Sequence, residues 1–221
     1  MNRFISMIAR RVSICAGVVG LSVTYAFAQQ PALQPGQVDL QQSKAYAHVA
    51  ARGLGHEHGV EGRVASGTVR LGVAQNAGEF VFDMKSFVCD TADSRQYVGV
   101  QGTTGDSTQQ QVTANMIGAA VLDVAKFPTA RYVIHSSLPV AKQQPTDPDR
   151  YELSGDFTFH GVTRPLTIRV VAEPAQGSVR LRGEFSVKQK DFGITPFSKA
   201  FGAIGVANEV KIWGDLLIAG R

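Results

Sequence analysis

Cysteine is nearly absent. The 221 residues hold two, Cys15 and Cys89. Long apolar runs are absent too: the most hydrophobic stretch, VSICAGVVGLSVTYAF at 12–27, is broken by Ser13, Ser22 and Thr24. It falls short of the ~20 strongly apolar residues that a membrane-spanning helix needs. Three basic residues (Arg3, Arg10, Arg11) and no acid precede it, and Ala26-Phe27-Ala28 closes it, so residues 1–28 are expected to be a cleaved signal peptide and the mature chain to begin at Gln29. That leaves Cys89 alone, so no intrachain disulfide can form and the fold must rest on its core. A free Cys is most often a small buried hydrophobe, and nothing basic flanks Cys89 to activate it. Charge of one sign is also missing. Of 22 basic residues, 19 follow the leader against 18 acids, a net +1 that gives no electrostatic reason to expect nucleic acid. Catalytic signatures are lacking: there is no G-x-S-x-G elbow, no H-E-x-x-H helix and no glycine-rich phosphate loop after a strand. The chain is expected not to be an enzyme.

What is present is a period of two. GTVRLGV (67–73), EFVFDMK (79–85), LTIRVVA (166–172), VRLRGEFSV (179–187) and VKIWGDLLI (210–218) alternate apolar and polar residues, the pattern of half-buried antiparallel strands. AQNAG, PTDPD, HGVTRP and PAQGS separate such runs as turns. One segment departs: TANMIGAAVLDVAKFP (113–128) spaces its apolar residues as a helix that Pro128 stops. Residues 29–37, QQPALQPGQ, read as a flexible leader, and 38–221 as one domain. About eight strands with one interrupting helix predict an all-β fold. Closure into an antiparallel barrel removes both the wet apolar face and the unpaired edges, and leaves an interior that side chains fill or that holds one small ligand. A sandwich is the alternative.

Several segments also resemble a known family when taken in order. FVCDTADSRQYVG (87–99), MIGAAVLDVAKFPTARYVIHSS (116–137), SGDFTFHGVTRPLTI (154–168) and VKQKDFGITPFSKAFGAIGVANEVKIWGDLLIAG (187–220) are similar to the successive motifs of the YceI-like, polyisoprenoid-binding proteins. The resemblance implies an extended lipocalin-like antiparallel β-barrel, exported to a bacterial periplasm, with an elongated apolar tunnel for a polyisoprenoid or a ubiquinone-like lipid. Beyond such a lipid, no cofactor is expected. Two stretches depart from the pattern: the polar 96–111 segment is longer than expected, and GHEH belongs to only part of the family.

Inward strand positions give the expected tunnel lining: Phe80, Phe82, Met84, Phe157, Phe159, Ile168, Val170 and Phe185, each of which packed core would explain equally well. Phe192, Phe197 and Phe201 sit in DFGITPFSKAFGAIG (191–205), a long loop of the kind that forms gates or seals; a seal over the barrel end is the expectation. GLGHEHGVEG (53–62) reads as a turn between two early strands, placing His56 and His58 at the rim. There they read first as structural or solvent-exposed residues. Otherwise they would touch a ligand headgroup, or, as an i, i+2 pair on one strand, serve a metal- or haem-linked redox accessory protein, which is the alternative function, though two histidines are an incomplete metal shell. The expected partners are an apolar isoprenoid lipid and, for lipid exchange, a membrane. Trp213 is predicted to face outward, and the chain is read as a monomer or homodimer.

Overall fold

The computed structural model describes residues 33–220, so the expected signal peptide lies outside the described residues. Nine strands follow one another: β1 (Lys44–Gly53), β2 (His58–Val69), β3 (Gly78–Cys89), β4 (Thr129–Pro139), β5 (Asp149–Phe159), β6 (Val162–Ala175), β7 (Ser178–Lys188), the two-residue β8 (Ser198–Lys199) and β9 (Ile204–Ala219). All neighbours are antiparallel, and β9 pairs with both β7 and β1, so eight strands close into a barrel while β8 sits on the start of β9. Closure gives each of the eight a neighbour on both sides, although β3 beyond Asp83 and β6 before Val170 run unpaired on one side. Two hairpins use the tightest connection available. His160-Gly161 (φ 49° and 76°) joins β5 to β6, and Gln176-Gly177 (φ 44° and 81°) joins β6 to β7. Both central residues are left-handed, as the twist of flanking strands favours.

The two barrel ends differ. At one, the segment before β1 straps across the mouth. Gly36 N–H donates to the Ala219 carbonyl and Val69 N–H to Gly36; Val38 N–H donates to Gly67 and Asp39 N–H to Leu217. Val38 is completely buried. Residues 36 and 37, expected within a flexible leader, are therefore tied into the fold. At the other end lie the β1–β2 turn, the β3–β4 connection, the His160 hairpin and the β7–β9 connection.

Two sequence expectations are corrected. The strand read at 67–73 is β2, which begins at His58 and ends at Val69; Leu71 and Val73 continue the apolar alternation because they still pack against the core, across a turn with Gly72 at φ 78°. The single helix expected at 113–128 is two: α1 (Ala92–Val98) and α2 (Asp106–Ile117). The polar segment that reads as loop supplies the first half of α2, and Gly118 ends it, leaving the apolar residues 118–127 as a run of turns against the core. Thr91 caps α1 by accepting from the Ser94 N–H at 2.9 Å, whereas α2 has no side-chain cap and no buried residue.

Candidate functional site: a tunnel with one polar end

Strand β3 changes face midway. Arg63 pairs with Asp83 and Glu61 with Val88, so β2 advances two residues while β3 advances five. Three extra residues, an odd number, reverse the side-chain parity. Phe80, Phe82 and Met84 point inward before the bulge, and Phe87 and Cys89 point inward after it. Ser86 stabilises the bulge: its Oγ donates to the Asp83 carbonyl (2.6 Å) and accepts from Arg63 N–H (2.8 Å). Beyond Asp83, β3 leaves β4, which pairs no farther than Thr129. The gap is covered by α2, which packs along β3.

These features enclose a tunnel lined by all eight barrel strands and α2. Along β9 the lining runs from Val206 to Leu216. Ten residue steps of ~3.3 Å at a strand tilt of ~40° give about 25 Å along the axis. That exceeds the ~15 Å of one leaflet, half of a ~30 Å hydrocarbon core. The strap residues Val38, Val69 and Ile218 lie outside the lining, so the tunnel is blind at the strapped end and reaches the helix end.

All eight inward residues expected from the alternation line it: Phe80, Phe82, Met84, Phe157, Phe159, Ile168, Val170 and Phe185. The loop phenylalanines divide. Phe197 lines the tunnel; Phe192 is buried beside it, 5.7 Å from the Phe157 ring and 5.6 Å from Phe159. Phe201 is fully exposed, so it seals nothing, contrary to the expectation. Local backbone explains the split: Ala200 and Phe201 are both left-handed (φ 48° and 56°), which swings the chain outward between Phe197 and Val206.

The two rim histidines separate as well. His56 is exposed in the turn, and β2 begins only at His58, so the two do not share a strand face. Among the described residues no group of three or more His, Cys, Asp or Glu side chains is placed to hold a metal ion. His58 lines the tunnel, with Nδ1 2.7 Å from Asp90 Oδ2. Asp90 is buried and left-handed (φ 55°), which turns the chain from β3 into α1. Burial works against its carboxylate, but the His58 hydrogen bond and charge, Arg95 Nη1 at 3.0 Å and the Gly59 N–H at 3.1 Å outweigh it and hold its pKa below the usual value. An ionised carboxylate only accepts, so Nδ1 carries the proton and Nε2 is the ring's remaining polar atom.

Two amide side chains join His58 in the lining toward the helix end: Asn115 of α2, and Gln189, whose Nε2 donates to the Ala207 carbonyl at 2.8 Å. Farther in, Tyr132 is satisfied by the Leu153 carbonyl at 2.7 Å, and burial pushes its pKa upward. Cys89 lies under α2: its N–H donates to Thr113 Oγ1 (3.0 Å) and its Sγ is 3.5 Å from Met116 Sδ. Burial, helped by the nearby Asp90 charge, pushes its thiol to about 12. The remaining histidines serve local contacts as expected: His160 Nδ1 is 3.0 Å from the Phe192 carbonyl, His135 Nε2 is 2.9 Å from Asp156, and His48 Nε2 is 3.4 Å from Glu57. Trp213 faces outward and donates to Glu184 (2.8 Å).

The arrangement has relatives. A family described as YceI-like domain matches residues 37–216. Protein YceI of Escherichia coli O157:H7 is 29% identical over 123 residues, 53% of this chain and 59% of that protein. A UPF0312 protein of Yersinia pestis is 30% identical over 124 residues, with the same coverage. Each alignment thus spans less than two thirds of the relative's own length. Among solved structures, a polyisoprenoid binding domain from Saccharophagus degradans superposes with TM-score 0.57 at 12% identity, covering 85% of this chain and all of that one. BcnA of Burkholderia cenocepacia superposes with TM-score 0.54 at 20% identity, covering 82% and 99%. At those identities the likeness shows the fold.

Proposed function

The chain belongs to the YceI-like family, and from that premise we propose that it is a periplasmic carrier holding one long isoprenoid lipid, or an isoprenoid quinone, in the barrel tunnel. The observation that carries the reading is the tunnel itself: about 25 Å long by the strand geometry, blind at the strapped end, apolar along its walls, with His58, Asn115 and Gln189 gathered toward the other end. That is the shape of an amphiphile with a long tail and one small polar head. Each buried methylene contributes about 0.8 kcal/mol, so roughly twenty chain carbons offset the ~4–15 kcal/mol cost of association. The head would lie beside His58, whose ring Asp90 orients. The name of the Saccharophagus domain supports the ligand class, and the leader argued from residues 1–28 supports export.

The reading is tested by stripping the protein of lipid in detergent and titrating it, by native mass spectrometry, with quinones that share one head and carry prenyl tails of increasing length. Affinity is expected to rise with each added unit until the tunnel is full, then level off. Affinity independent of tail length contradicts it.

A further inference from the structure

We propose that the tip formed by Leu54, Phe201 and Ile204 is a membrane-docking surface, which seats the helix end of the tunnel on the face of an anionic bilayer. This rests on the carrier reading for its purpose but not for its observations.

Three large apolar side chains are exposed within one small region. Phe201 is fully exposed, Leu54 is 77% exposed and Ile204 39%. Backbone pairing brings them together: Gly53 pairs with Ile204, Arg52 with Gly205, and the Leu54 N–H donates to the Ala203 carbonyl at 2.9 Å. Phe201 is held out at a cost. It and Ala200 are left-handed residues with a Cβ, a conformation that strains a bulky side chain, and the fold recovers nothing from the ring's exposure. A strained, exposed aromatic points to a contact outside the chain.

The chemistry around the tip selects the partner. Arg52 and Lys199 are exposed beside it, and Lys199 pairs directly with Ile204. From Gly193 to Asn208 the chain carries Lys199 and no acid. Glu57, the acid of the β1–β2 turn, is 3.4 Å from His48. Apolar anchors flanked by two cations suit an interface of acyl chains and anionic headgroups. Position agrees. Phe197 and Val206 pinch the base of the protruding segment, with the Val206 N–H donating to the Phe197 carbonyl at 3.1 Å, and both residues line the tunnel. The strapped, blind end is opposite.

Vesicle flotation of the full exported chain tests this, using phosphatidylcholine vesicles with and without phosphatidylglycerol. Wild type is expected to float with the anionic vesicles and to lose binding severalfold as salt rises. Leu54→Ser/Phe201→Asn is expected to reduce the bound fraction at least tenfold, with a thermal midpoint unchanged or raised, since Asn tolerates the left-handed backbone. Leu40→Ser/Leu138→Ser, which removes exposed leucines at the strapped end, is expected to float like wild type. Flotation of the tip variant equal to wild type, no wild-type binding to either vesicle, or a concentration-dependent dimer that the tip substitutions abolish overturns the proposal. Loading the tip variant with a prenyl quinone from detergent separates this from the carrier reading: retained loading with lost flotation isolates the tip, while loss of loading in wild type indicts the tunnel.

Discussion

His58 Nδ1 lies 2.7 Å from Asp90 Oδ2, joining the first residue of β2 to the left-handed residue that follows β3 and starts the turn into α1. One buried carboxylate thus orients the tunnel's polar end, and through Arg95 and the Gly59 N–H it ties α1 to the barrel.

Replacing Asp90 by Asn keeps the shape and removes the charge that Arg95 and His58 face. Breaking a buried ionic cluster from one side costs about 3–5 kcal/mol, so Asp90→Asn is expected to lower the unfolding free energy extrapolated from urea titration by about that amount at pH 7. The carboxyl pKa is depressed in the folded state. Its contribution is therefore complete above the unfolded value of ~3.9 and is lost as pH falls through the folded value. Urea titrations at pH 7 and below pH 4 are expected to show the gap between wild type and variant closing with acid.

Gly59 is where α1 rests on β2. A Cβ there would sit 2.8 Å from the Ser94 carbonyl carbon and 2.9 Å from Arg95 N, both backbone atoms that cannot swing aside. Gly59→Ala is expected to cost about 1–3 kcal/mol. Hydrogen exchange is expected to accelerate across Ala92–Val98 while Ile134 and Leu153, almost fully buried, stay protected.

Cys89 reports on α2. With its thiol pushed to about 12, the thiolate fraction at pH 8 is on the order of 10⁻⁴. A disulfide reagent is expected to label the native protein slowly and the denatured protein at once. Because α2 covers Cys89 with no cap and no buried residue of its own, labelling is expected to follow opening of that helix, and Thr113→Ala, which removes the acceptor for the Cys89 N–H, is expected to speed it severalfold.

Phe157 touches three other rings, Phe159, Phe185 and Phe192, at centroid distances of 5.9, 5.6 and 5.7 Å. Phe157→Ala is expected to lose about 3–5 kcal/mol in chemical denaturation. Phe201→Ser, exposed and unpacked, is expected to stay within about 0.5 kcal/mol of wild type in the same measurement.

Much of this was legible in the sequence. Period-two alternation placed Phe80 through Phe185 on the inside because side chains of a closed barrel have only two directions to face. The same logic fails wherever parity is reset. Phe87 and Cys89 reach the tunnel through a three-residue bulge that no periodicity announces, although Ser86, able to bond its own backbone, is a trace of it. The apolar period at 113–128 misses α2 because that helix is polar over its first half and meets the barrel with only three apolar side chains, Val112, Met116 and Ile117, none fully buried. Phe192, Phe197 and Phe201 read alike as aromatics in one loop, and backbone sign alone sends the third outward. His56 and His58 read as a pair; the start of β2 parts them, and the partner that matters, Asp90, stands 32 residues away.

The central claim is that one long prenyl chain occupies the tunnel. Native mass spectrometry of the protein purified from its host without detergent, followed by solvent extraction and a visible spectrum, tests it most directly. The account predicts one apolar lipid of several isoprene units per chain, released on denaturation. One metal or haem per chain with no lipid contradicts it.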